Sequence, residues 1–96
     1  MSVDSAPDAT ASLMARFPDA ERATLLTVKG VGPTVIERLE TIGITSLAEL
    51  ARQDVDGICT QVSLMLGSTC WRNSPMARAA IAGAIARAQS DMAARG

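Results

Sequence analysis

The sequence predicts an all-α domain of about five short helices. Three observations carry this. Stretches with a hydrophobic period repeat at three and four residues, and none alternates at two. Helix start signals (Ser, Asp or Pro) precede these stretches, and Gly follows several of them. Aromatics make up 2% of the 96 residues, namely Phe17 and Trp71, so the core must be aliphatic. A chain of this length suits one small domain with a modest core.

Residues 1–10, rich in Ser, Asp, Pro and Ala, are expected to be a flexible tail with little to bury. One helical domain is expected over 11–96. A first helix over 9–16 would stop near Phe17, because Pro18 disfavours helix at the residue before it. Asp19 is placed to cap a helix over 19–27, which presents Ala23, Leu26 and Leu25 inward. Then comes Lys29-Gly30-Val31-Gly32-Pro33. Pro33 suits a first helical position, where its missing N–H costs nothing. The helix over 33–41 puts Val35, Ile36 and Leu39 on one face, with Ile42 following. Gly43 fits the left-handed position that ends a helix.

Ser46-Leu47-Ala48-Glu49 reads as a capping box: Ser46 accepts from the Glu49 N–H, and Glu49 reaches back to the Ser46 N–H. A short helix over 46–52 follows, with Leu47 and Leu50 inward. Asp54 caps a helix over about 55–66, where Val55, Ile58, Cys59, Val62, Met65 and Leu66 recur at helical spacing. Gly67 stops it, and residues 67–74 read as a loop. Ser74 caps and Pro75 begins the last helix, which is Ala-rich and intrinsically strong. Its stripe is Met76, Ala80, Ile81, Ala84, Ile85 and Ala88, mostly small residues that permit close packing.

The net charge is −1, a poor footprint for a strong nucleic-acid binder. Its distribution is uneven. Residues 1–20 and 21–56 each carry a net −2, whereas residues 57–96 set Arg72, Arg78, Arg87 and Arg95 against Asp91 alone. An anionic partner is therefore sought where the C-terminal third meets the glycine turn. No run of about 18 apolar residues exists, so no membrane span is expected. The acidic N-terminus does not read as a secretory signal, and the expected location is the cytoplasm. Cys59 and Cys70 lack metal-site spacing, and there is no His to complete a zinc set. They are expected to be reduced thiols.

The text from Leu26-Thr27-Val28-Lys29-Gly30-Val31-Gly32-Pro33 through Leu39 to Gly43-Ile44-Thr45-Ser46-Leu47-Ala48-Glu49-Leu50 resembles the helix-hairpin-helix family. That resemblance implies a SAM-like small helical domain that binds double-stranded DNA weakly and without regard to sequence. The implied contact set is the backbone of Gly30, Val31 and Gly32, with Lys29 and Thr34 on phosphate and Arg38 or Arg72 assisting. Glycines allow close approach to a ligand, and a helix N-terminus favours an anion. Such contacts position a duplex without reading bases. Val31 is implied as the plug between the two helices.

The sequence departs from the family pattern in one respect. DNA-binding members commonly carry Lys or Arg after the second glycine and its neighbour, where this chain has Thr34. A hydroxyl bonds a phosphate oxygen but releases no counterion. Lys29 compensates from the other side, while Glu37 and Glu40 flank Arg38. A second, degenerate hairpin is sought in MLGSTCWRNSPMARAAI, whose loop holds Thr69, Arg72, Asn73 and Ser74. The hairpin, the GITSLAEL segment and Cys70 before the last helix also resemble a small bacterial group carrying pathogenicity-locus or mitomycin-resistance labels. The competing reading is a protein-interaction module that keeps the hairpin only as a helix junction, and a homodimer through the last helix stays open.

Enzyme readings fall away on the residues. Base-excision glycosylases share the hairpin and place a catalytic Asp about where Asp54 stands. Their hairpin or catalytic Lys is missing, and 96 residues leave little room for the second domain that base flipping needs. Asp54 reads as a cap. With no His there is no Ser–His or Cys–His pair. Cys70, near Arg72 and ahead of a helix, is the best reactive-thiol candidate, against the plainer reading of an idle thiol. Trp71 reads as a cover for a small core rather than a base-stacking platform. No catalytic residue, metal or cofactor is expected.

Overall fold

The structure, a computed structural model, describes residues 16–95, which form six α-helices. They are α1 (Asp19–Leu26), α2 (Pro33–Thr41), α3 (Leu47–Leu50), α4 (Val55–Leu66), α5 (Cys70–Asn73) and α6 (Pro75–Arg95). The expected tail over 1–10, the domain start at 11 and nearly all of the helix expected over 9–16 lie outside the described residues.

The helices expected from Asp19 onward are present, with corrections at their ends and faces. Pro18 is the N-cap of α1, and Asp19 makes no capping bond because it already lies inside the first turn. Leu25 is the inward residue of α1, whereas Ala23 is exposed and Leu26 is 45% exposed. Two acidic side chains set that rotation. Glu21 Oε1 accepts from the Leu47 N–H at 2.8 Å, so α1 caps the start of α3. Glu40 Oε2 accepts from the Phe17 N–H at 2.9 Å and from Arg22 Nη2 at 3.0 Å. Holding these contacts turns Leu25 into the core and seats Phe17 there as well.

The end of α2 is a Schellman motif. The Ile44 N–H donates to the Leu39 carbonyl at 2.9 Å and the Gly43 N–H to the Glu40 carbonyl at 3.0 Å. Gly43 sits at φ +95°, a left-handed position that disfavours a side chain. The capping box at α3 forms in a shifted version. The Glu49 N–H donates to Ser46 Oγ at 3.1 Å, but Glu49 Oε1 accepts from the Thr45 N–H at 2.9 Å rather than from the Ser46 N–H. The helix is shorter than expected, at four residues.

In α4 the buried residues are Ile58, Cys59, Val62 and Ser63. Met65 and Leu66 do not join them: they are 37% and 40% exposed, because the stripe drifts around the helix and nothing among the described residues covers its last turn. The loop expected over 67–74 contains the single turn α5. Helix α6 buries Ala80, Ile81, Ala84, Ile85 and Ala88 against α3, α4 and α5. Met76, expected on this stripe, is 83% exposed because it precedes the packed part of the helix. Each large side chain fully buried here is worth roughly 1.5–3 kcal/mol of transfer free energy. Trp71 is half-buried against the core, and Cys59 and Cys70 are free thiols.

Candidate nucleic-acid interface

The turn between α1 and α2 is built by short backbone bonds. The Thr27 N–H donates to Thr24 O at 3.2 Å, Val28 to Leu25 O at 3.0 Å and Val31 to Val28 O at 3.0 Å. Gly30 takes φ +86°, which a Cβ would strain. Gly32 is different. It is the N-cap of α2 at φ −117°, an extended conformation open to any residue, and its side-chain position faces open space. Its role is therefore to lack a side-chain cap. Val31 is buried at 6% exposure and plugs the junction.

This leaves a row of free donors. The N–H groups of Lys29, Gly30, Gly32, Thr34 and Val35 find no acceptor among the described residues. Unsatisfied amides at a helix N-terminus carry the positive end of the macrodipole. Lys29 and Thr34 are exposed beside them, and no acidic residue lies in the first turn of α2. The turn rests on α6: a Cβ on Gly30 would lie 3.4 Å from Ala80 Cβ, and one on Gly83 would lie 3.0 Å from Val28 Cγ1. The small-residue stripe of α6 thus acts as the seat of the hairpin.

The other expected contributors sit differently. Arg38 is half-buried, and its Nε is buried without a partner. Arg72 is exposed and lines an open cleft of about 540 Å³ with residues of α4 and the segment after it, none of them from the hairpin. The positive C-terminal third is partly neutralised: Arg78 pairs with Asp56, and Arg95 with Asp91 at 3.2 Å. Arg72 and Arg87 make no ion pair among the described residues. Sequence reasoning does not anticipate the Val35 amide or the cleft. The first follows from Gly32 being a cap without a side chain, and the second from hydroxyls interleaved on α4, a pattern of low contrast.

Residues 23–62 match the family model described as SAM-like helix-hairpin-helix tandem. These residues form a helix-hairpin-helix domain. The matched part runs from α1 into α4, so the hairpin between α1 and α2 lies within it. It ends before the stretch in which a second, degenerate hairpin is sought. No curated protein and no solved structure matches the chain. Among the described residues no group of acidic or cysteine side chains is arranged to hold a metal, and no helix is long and apolar enough to cross a membrane.

Proposed function

We propose that the α1–α2 hairpin is a sequence-independent contact for the phosphate backbone of double-stranded DNA. The observation that carries this reading is the set of free amides at Lys29, Gly30, Gly32, Thr34 and Val35 beside the exposed Lys29 side chain. Helix-hairpin-helix domains commonly bind DNA in this manner, and the matched segment contains this turn. The oxygens of a phosphate would share the Gly32, Thr34 and Val35 amides and the Thr34 hydroxyl, with Lys29 supplying the full charge. Such a site reads no bases. With one lysine at the turn, affinity is weak, on the order of 100 μM at physiological salt, and the salt dependence is shallow. The working compartment is the one that holds nucleic acid, the cytoplasm. The resemblance to the pathogenicity-locus and mitomycin-resistance group adds to the fold expectation but names no activity.

The experiment is a fluorescence anisotropy titration of a short labelled duplex at low and at moderate salt. Binding that weakens with salt and disappears in Lys29→Glu is the expected result. An absence of binding at low salt with millimolar protein overturns the reading. So does a Lys29→Glu variant that binds like the wild type.

A second reading, contact with another protein, is favoured by the apolar side chains left outside. Leu64 is 77% and Met76 83% exposed, and Met65 and Leu66, which follow Leu64 in α4, are partly exposed. Sedimentation that shows a dimer, without duplex binding, would favour it.

A further inference from the structure

We propose that the cleft beside the end of α4 is a binding site for a small organic phosphomonoester, separate from the hairpin. The cleft measures about 540 Å³, which falls within the usual size of small-molecule sites. Its lining residues include four that carry hydroxyls, Thr60, Ser63, Ser68 and Thr69, together with Arg72 and the apolar Leu64.

None of these hydroxyls donates to a group among the described residues, although only Ser63 is buried. Helical Ser and Thr often donate back to a carbonyl four residues earlier. Thr24 and Thr41 do so in this protein, at 3.1 and 2.8 Å. Thr60 and Ser63 do not, and no hydrogen bond involves the Thr69 hydroxyl among the described residues. Ser63 is the decisive case. It is 5% exposed, yet it lines the cleft. Its Oγ accepts from the Arg72 N–H at 3.1 Å, and its own proton has no acceptor among the described residues. Ser68 Oγ likewise accepts, from the Cys70 N–H at 3.2 Å, and keeps its proton free. The Ser63 Oγ is satisfied as an acceptor, and its proton stays available to a ligand oxygen. Four hydroxyls, of which Ser63 alone is buried, and the Arg72 guanidinium offer more donors than the two oxygens of a carboxylate need. They suit the three peripheral oxygens of a phosphomonoester.

Charge must also agree. The C-terminal end of α4 carries about half a negative charge, which opposes an anion. Two of its terminal carbonyls are occupied internally, Leu64 O by the Gly67 N–H and Ser63 O by the Ser68 N–H. Arg72 brings a full positive charge, and no acidic side chain lines the wall. The balance at the cleft is positive. The volume exceeds that of phosphate alone, so an organic body has room against Leu64.

The test is a ¹H–¹⁵N NMR titration with three probes: phenyl phosphate, benzoate and inorganic phosphate. Phenyl phosphate is expected to saturate below about 10 mM, shifting the amides of Ser63, Ser68, Thr69 and Arg72. Arg72→Gln and Thr60→Val, both at exposed positions, are expected to weaken it about tenfold and severalfold respectively, with wild-type spectra elsewhere. Lys29→Glu is expected to leave it unchanged, so failure here and failure of the hairpin reading are told apart. Equal binding of benzoate overturns the assignment to phosphate, and inorganic phosphate binding as tightly overturns the organic body. Shifts confined to Lys29–Val35, no saturation, or an Arg72→Gln variant that binds like the wild type each overturn the site.

Discussion

Two helices of this chain, α2 and α6, begin at a proline, and their starts are opposites. At Pro33 the preceding residue is Gly32, which has no side chain, so the amides of Thr34 and Val35 stay free. At Pro75 the preceding residue is Ser74, whose Oγ accepts from the Ala77 N–H at 3.1 Å. The cations are divided the other way. The α2 start has Lys29 alone, while the α6 start has Arg72 and Arg78 close by in sequence. Arg78, however, pairs with Asp56, and its guanidinium is held above its ordinary pKa by that bond. The α6 start thus satisfies through Ser74 the Ala77 amide, the counterpart of the free Val35 amide of α2, and stabilises the fold. The α2 start leaves its amides unsatisfied and available. A helix start can close its own bonds or offer them to a ligand, and one residue, serine or glycine, decides which.

Four changes would break or sharpen that contrast. The largest effect is expected from Gly30→Val. A β-branched residue at φ +86°, packed beside Ala80, should cost about 2 kcal/mol in urea denaturation and abolish duplex binding. Ser74→Ala removes the cap of α6 and should cost about 1 kcal/mol. Duplex binding should not change, since the hairpin is untouched. Gly32→Ser makes the α2 start resemble that of α6. Space is open at that position, so stability should rise by only about a few tenths of a kcal/mol. Duplex affinity should fall, because the new hydroxyl takes an amide from the phosphate. A variant that binds as well as the wild type would show that the free amides are not the contact.

The smallest effect belongs to pH. The Thr45 backbone amide, helped by the Thr45 and Ser46 hydroxyls, lowers the Glu49 pKa below its ordinary value. A carboxylate depressed in the folded state stabilises above its unfolded pKa, and that contribution is lost as pH falls through the folded value. The stability gap between wild type and Glu49→Ala should be full above about pH 5 and narrow on acidification. Denaturation midpoints at pH 7 and pH 3 measure it.

Cys59 shows the same logic in a core. Burial pushes its thiol pKa up, with Arg78 pulling partly back, so it stays neutral where exposed Cys70 is accessible.

Local signals carry their own geometry, and these were legible. Gly30, Gly43 and Gly67 all take positive φ, as turn and helix-stop glycines should. Asp54 caps α4 through the Gly57 N–H at 3.4 Å, and Ser46 and Ser74 cap as their spacing implies. The hairpin, Pro33 and the small residues of α6 are legible from signals of the same kind. Each depends on atoms within a few residues, so the chain alone suffices.

Rotation, pairing and exposure were decided elsewhere. A 3.6-residue period does not distinguish Leu25 from Leu26; Glu21 reaching Leu47 and Glu40 holding Phe17 and Arg22 do. The period also places Met65, Leu66 and Met76 inward, but no helix among the described residues covers them. Arg72 reads in the sequence as a helper for the hairpin and instead lines a cleft with Ser63, nine residues away. Arg78 reads as free charge and is tied to Asp56, 22 residues away. Turns and caps are short-range hydrogen-bond problems. Which face is buried and which charge stays free depends on groups brought together only when the helices pack.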